Sequence, residues 1–152
     1  MYNHLFIYKF YRLSMGQIRD IMCKDVITIE EGKNAVDAAK IISDNDISFL
    51  VIIKDGLPIG VLSEKDFVRK VAAENQLASN IPISEIMSYK FRWVEPTTPI
   101  EDAIQKMLNN NIRRLLVLDD GKLIGVVTQT DLAAYLRDQL LIDGTIKSIN
   151  TD

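Results

Sequence analysis

Shifted by about 65 residues, the chain overlies itself: Ile18 to Phe67 aligns with Ile83 to Leu132 without a gap. Roughly fifteen of the fifty pairs are identical, among them Ile21/Ile86, Met22/Met87, Asp37/Asp102, Ala38/Ala103, Asp55/Asp120, Gly56/Gly121, Gly60/Gly125, Val61/Val126 and Asp66/Asp131. Turn residues, helix faces and acidic positions recur together. The fold must therefore be one that two copies of a single supersecondary unit can complete.

The local pattern inside each copy predicts the unit. Ile100, Ala103, Ile104, Met107 and Leu108 fall at i, i+3, i+4, i+7 and i+8, which lays one apolar stripe along a helix. Ala35, Ala38, Ala39 and Ile42 form the matching face of the first copy, and Asn45 and Asn110 mark the expected helix ends. Two apolar runs then flank an Asp-Gly turn, Ile47 to Ile53 and Leu57 to Leu62 around Asp55-Gly56, and again from Leu115 to Val127 around Asp120-Gly121. That is a hairpin pattern. Pro58, which lacks an amide donor, suits a strand start or an edge. A second helix is expected to start at Ser63 and at Thr128. With a short lead strand in front, each copy reads as β-α-β-β-α, an α/β (α+β) fold of two repeats packed with pseudo-two-fold symmetry. The expected boundaries are a leader at 1–14, repeats at 15–78 and 79–141, and a polar tail at 142–152.

Composition removes several functions. At 152 residues and 47% hydrophobic content the chain can bury about two thirds of its unfolded surface. A net charge of −3 offers no general attraction to nucleic acid, which is not the expected partner. The single cysteine, Cys23, and single histidine, His4, cannot supply a Cys/His metal centre or a repeat-borne nucleophile-base pair. The acidic residues that recur fall on a helix surface (Asp37/Asp102), in a turn (Asp55/Asp120) and at a helix start (Asp66/Asp131), without an adjacent base. No catalytic residue and no metal ligand is assigned, and no enzyme is expected. The leader carries Tyr2, Phe6, Tyr8, Phe10 and Tyr11 but is shorter than the ~20 apolar residues of a membrane span and has no signal-peptide cleavage pattern. Two readings of it stand: Met15 is the natural start, or the leader is a partner-binding tail or edge strand. The expected compartment is the cytoplasm.

Ser63-x-x-Asp66 and Thr128-x-x-Asp131 carry the chemistry. Each matches a capping box, in which a hydroxyl and an acidic N3 side chain satisfy the first amides of a helix. Each also uses Asp where the longer Glu or Gln is usual, and follows a glycine that permits close backbone approach. An ionised Asp has only acceptor oxygens and suits a vicinal diol such as ribose. A helix N-terminus suits a phosphate or another polar group. Gly60 and Gly125 are read as places where a helix packs on a strand, Met22 and Met87 as packing residues, and Trp93 as core or interface.

Gly-Val-Leu-Ser-Glu-Lys-Asp at Gly60 to Asp66 and Gly-Val-Val-Thr-Gln-Thr-Asp at Gly125 to Asp131, each after a helix and an Asp-Gly hairpin, resemble a tandem pair of CBS domains, the cystathionine-beta-synthase-type regulatory repeat. The likeness covers about Ile18 to Leu140. Many members have a proline where this chain has Leu50 and Leu115, a conservative departure that leaves the fold intact.

The resemblance implies two clefts, each combining the Ser/Thr-x-x-Asp of one copy with the lead strand and hairpin strand of the other. Ser63 and Asp66 would meet Lys90, Phe91, Arg92, Ile112, Arg113 and Arg114; Thr128 and Asp131 would meet Asp25, Val26, Ile27, Ile47, Ser48 and Phe49, without a matching cation. Arginine forks match phosphate geometry, so the first cleft is the expected site of a phosphorylated ligand. The implied function is regulatory: no cofactor is required, and the chain senses an adenosine nucleotide (AMP, ADP or ATP) or S-adenosylmethionine. It would act as a homodimer on an unidentified target protein, without a membrane. The rival reading is a ligand-free dimerisation scaffold.

Overall fold

The computed structural model describes residues 16–142, with side chains for 16–141. The aromatic leader and the polar tail beyond Ile142 lie outside the described residues. The first repeat contains strand β1 (Thr28–Glu30), helix α1 (Ala35–Asp44), strands β2 (Phe49–Lys54) and β3 (Leu57–Ser63), and helix α2 (Glu64–Phe67), which continues as a π-helical turn (Val68–Ala72). The second contains helix α3 (Ile83–Ile86), strand β4 (Trp93–Val94), helix α4 (Ile100–Asn110), strands β5 (Arg114–Asp119) and β6 (Lys122–Thr128), and helix α5 (Gln129–Ile142). A 3-10 turn at Ile18–Asp20 stands where the first copy would have its α3. Each repeat thus has its own three-stranded sheet, ordered β1-β2-β3 and β4-β5-β6.

The Asp-Gly turns form as the sequence implies. Asp55 and Gly56 have φ of 50° and 78°, and Asp120 and Gly121 have 49° and 77°. Positive φ at both central residues makes a type I′ turn, whose twist matches that of the paired strands. β2 and β3 run antiparallel from Lys54↔Leu57 to Phe49↔Ser63, with a register shift at Ile52/Ile53 opposite Pro58. Pro58 therefore sits at an irregularity on the outer strand of its sheet, where a missing amide is tolerated. The lead strands run parallel to the middle strands, Thr28↔Val51 and Trp93↔Leu116.

The helix faces follow their periodicity with one exception. Ala35, Ala38 and Ile42 of α1 are buried, as are Ile100, Ala103 and Met107 of α4, but Leu108 is 65% exposed. It lies at the edge of the stripe, one residue beyond Met107, and its side chain turns out. The Nδ2 groups of Asn45 and Asn110 each donate to a carbonyl four residues back (Ile41 and Lys106, both 2.8 Å), which satisfies acceptors that a helix end leaves open. The left-handed residue that stops each helix is the next one, Asp46 (φ 51°) and Asn111 (φ 50°).

The described residues form two compact units. One comprises 16–24, Trp93–Asp119 and 125–142; the other comprises Asp25–Arg92 and Asp120–Ile124. Each unit takes its lead segment from the other repeat, and four backbone bonds of the exchange recur in both. In the first, the Ile18 amide donates to Thr98 (2.9 Å), Ile100 donates to Gly16 (3.1 Å), and Cys23 and Val126 exchange both backbone bonds (2.9 and 3.0 Å). In the second, Ile83 donates to Lys33 (3.0 Å), Ala35 donates to Ile81 (2.8 Å), and Ser88 and Val61 exchange both (2.8 and 3.0 Å). The core of the second unit accordingly joins Ile29, Ala38, Leu50, Ile52 and Leu62 to Ile81, Ile83, Ile86 and Met87.

The glycines before the acidic elements allow this approach. A Cβ on Gly60 would stand 2.8 Å from the Met87 sulfur and 3.1 Å from the Ser88 carbonyl oxygen, and on Gly125 it would stand 2.8 Å from the Met22 sulfur and 2.9 Å from the Cys23 oxygen. What packs on each glycine is therefore a methionine and the backbone of a lead segment, not a helix as the sequence pattern suggests. Met22 and Met87 are the packing residues of that contact.

Candidate functional site

Both Ser/Thr-x-x-Asp elements are helix starts. Ser63 has extended backbone (φ −117°, ψ 162°), and α2 begins at the next residue. The Ser63 amide and hydroxyl donate to Oδ2 of Asp66 at 2.8 and 2.9 Å. In the second copy the Thr128 amide and hydroxyl donate to Oδ2 of Asp131, both at 2.8 Å, and the Asp131 amide donates back to Thr128 Oγ1 at 3.2 Å. The capping geometry is thus present in both copies. It uses one oxygen of each carboxylate and leaves the role of the other to the surroundings.

Those surroundings differ. Oδ1 of Asp66 pairs with Lys70 Nζ at 3.1 Å, and the same ammonium donates to the carbonyl of Ile86 at the end of α3. The matching position of the second copy is Tyr135, whose hydroxyl accepts the Gly16 amide at 3.0 Å. Both residues hold the exchanged lead segment, but only Lys70 also closes the carboxylate. Among the described residues nothing bonds to Oδ1 of Asp131, which is half-buried. Lys70 and Tyr135 are functional candidates that motif reading passes over. The available signal was their alignment with each other and the i, i+4 spacing from Asp66 to Lys70.

The hairpins place the remaining candidates. Because Phe49 pairs with Ser63, the residue before β2 sits against the residue after β3, and the Glu64 amide donates to the Ser48 carbonyl at 3.1 Å. In the second repeat the Gln129 amide donates to the Arg113 carbonyl at 3.0 Å. The antiparallel return of the chain places the Arg113 backbone beside the Thr128–Asp131 element of its own repeat. Arg113 is exposed, and Ile112 and Arg114 on either side are half-buried.

Val26, Ile27 and Ile47 lie in the same compact unit as Ser63 and Asp66. Ile27 and Ile47 pack against its core. Lys90, Phe91 and Arg92 belong to that unit too, two to four residues beyond the Ser88–Val61 bridge. Trp93 is 45% exposed rather than core, with Lys106 Nζ 5.9 Å from its ring centroid and bonded to its carbonyl at 2.6 Å. Among the described residues no cluster of three His, Cys, Asp or Glu side chains could hold a metal ion, and no helix is long and apolar enough to cross a membrane.

Two β-α-β-β-α copies, each with an acidic cap behind a glycine that admits a lead segment, define a two-repeat module. The CBS domain model matches residues 18–73 and 83–138, and the chain belongs to that family as a tandem pair. It is 29% identical over 119 residues to the CBS domain-containing protein YhcV of Bacillus subtilis (strain 168), covering 78% of this chain and 84% of that one. It is 30% identical over 128 residues to homoserine O-acetyltransferase of Methanohalobium evestigatum, 83% of this chain but 25% of the enzyme. Among solved structures, the CBS domain pair of protein MJ0100, in complex with 5′-methylthioadenosine and S-adenosyl-L-methionine, matches with a TM-score of 0.73 and 27% identity, over 82% of this chain and 98% of that one.

Proposed function

We propose that this CBS pair senses an adenosine-containing ligand, with the Thr128–Asp131 element as its ribose-reading site. The observation that carries this reading is the Asp131 carboxylate: one oxygen is spent on the cap, and the other is left over at the start of a fourteen-residue helix. A vicinal diol presents two donors to such a carboxylate. Arg113, held at the same helix start through its carbonyl, offers an exposed guanidinium to a phosphate, and Ile112 offers an apolar edge to a base. MJ0100, whose CBS pair has the same fold, binds two adenosine-containing molecules. Ser63 and Asp66 form the corresponding element of the first repeat, where both carboxylate oxygens already hold a partner. A ligand switches the module only if its affinity differs between two geometries of the protein or its assembly. The target of that switch is another protein.

The second reading, a homodimeric scaffold, draws on the exposed leucines of α4 and α5: Leu108, Leu136, Leu140 and Leu141. Calorimetric titration with AMP, ATP and S-adenosylmethionine separates the two. Sensing predicts saturable heat, tighter for AMP than for S-adenosylmethionine, lost in Asp131→Asn and weakened at least tenfold in Arg113→Ala. No heat and no thermal shift with any of the three would leave the scaffold.

A further inference from the structure

We propose that Lys70 is a specificity-determining residue that closes the first repeat to diols, so that the chain carries one nucleoside site and not two. The inference rests on the reading of Asp131 as the ribose-binding carboxylate.

Asp66 has one acceptor site left, where Asp131 has two. Oδ2 takes the amide and hydroxyl of Ser63, and Oδ1 takes the Lys70 ammonium at 3.1 Å. The ion pair is not a loose surface contact: the Asp66 side chain is 20% exposed and that of Lys70 is 40% exposed. A second acceptor, the Ile86 carbonyl, fixes the ammonium from the side of the lead segment. A vicinal diol that places both its donors on Oδ1 would have to replace a charge-assisted bond with a neutral one of roughly half the strength. It would also leave the ammonium with one acceptor fewer.

The helix is reshaped where this happens. Val68–Ala72 forms a π turn, with the Ala73 amide bonded to the Val68 carbonyl at 2.9 Å and Gln76 bonded to Val71 at 3.0 Å. Such turns are rare and concentrate at functional positions. The second copy runs as one α-helix from Gln129 to Ile142, with Tyr135 at the matching position. Tyr135 anchors its lead segment by accepting the Gly16 amide and brings no cation to Asp131. One position thus performs the same anchoring by two chemistries, and only one of them consumes the carboxylate.

The test is the stoichiometry of AMP binding to the full chain by calorimetry, with thermal melts to confirm folding. The wild type is expected to bind about one AMP per chain, and both Lys70→Tyr and Lys70→Met about two. Adding Asp66→Asn to Lys70→Met should return the count to about one. Two variants are used so that misfolding of one does not decide the result. Two AMP per wild-type chain, or one per chain in both Lys70 variants, would overturn the proposal while sparing the Asp131 site. No binding by the wild type but one equivalent in the Lys70 variants, abolished by Asp66→Asn, would overturn the Asp131 reading and with it the count of one site, and would uphold only the closing of Asp66 by Lys70. No binding by any of them would overturn both.

Discussion

Asp66 and Asp131 occupy the same place in two copies of one unit, and each accepts the same two donors from the Ser or Thr three residues before it. They part at the next turn of helix, where Lys70 closes one carboxylate and Tyr135 leaves an oxygen of the other uncommitted. The difference separates two kinds of position. The cap, the Asp-Gly turn and the glycine under the methionine satisfy backbone demands that both copies share, so they recur. Position 70/135 has only to hold a lead segment, which an ammonium on a carbonyl or a phenol under an amide does equally well. It is therefore open to change in ways that alter ligand chemistry without disturbing the fold.

Where the copies are equivalent, paired substitutions should match. Leu50 and Leu115 are both fully buried in the middle strands, so each Leu→Ala change should cost about 2–5 kcal/mol in chemical denaturation. A gap of more than about 2 kcal/mol between them would break the equivalence of the two cores. Gly60→Ala and Gly125→Ala each bring a Cβ within about 3 Å of a lead-segment carbonyl and a methionine sulfur. A flexible methionine can yield and a carbonyl cannot, so a loss of about 1–3 kcal/mol is expected from each, read from denaturation midpoints. If either alanine were neutral, the close approach would not be what the glycine provides.

The smallest effect should come from a contact that only the first copy has. Lys54 pairs with Glu31 at 2.8 Å, whereas the aligned residues of the second copy are Asp119 and Pro96. The hydrogen bond and charge of Glu31 hold the Lys54 pKa above its ordinary 10.5. A raised lysine pKa means that the contribution is fully present below the unfolded value and is lost as pH rises through the folded one. The pair is solvent-screened, so Lys54→Met should leave the melting temperature nearly unchanged at pH 7, and the difference between variant and wild type should shrink further only at strongly alkaline pH. A clear shift at neutral pH would mean that the two sheets are not stabilised alike.

Much of this was legible residue by residue. The two Asp-Gly turns demanded positive φ at both central positions and have it. Alanines at i and i+3 predicted the buried face of α1, and the acidic elements predicted helix starts. Leu108 and Trp93 were not legible, because periodicity reports which side of an element a residue occupies but not where the neighbouring layer ends. The register of the first hairpin includes a shift opposite Pro58 that the turn residues alone do not reveal. The exchange of lead segments left no local mark, since Ile18 to Met22 and Ile83 to Met87 are equally apolar and could have packed on either sheet.

From sequence alone came the repeated unit, its turns and caps, and the placing of two carboxylates at two helix starts, because each depends on φ preferences and side-chain reach within a few residues. Which carboxylate keeps an accepting oxygen was decided only in the folded chain. It depends on an ammonium held between Asp66 and a carbonyl sixteen residues beyond Lys70, and on a phenol spent on an amide 119 residues away. Hydrogen bonds and ion pairs act over about 3 Å, and only the tertiary structure brings such groups that close.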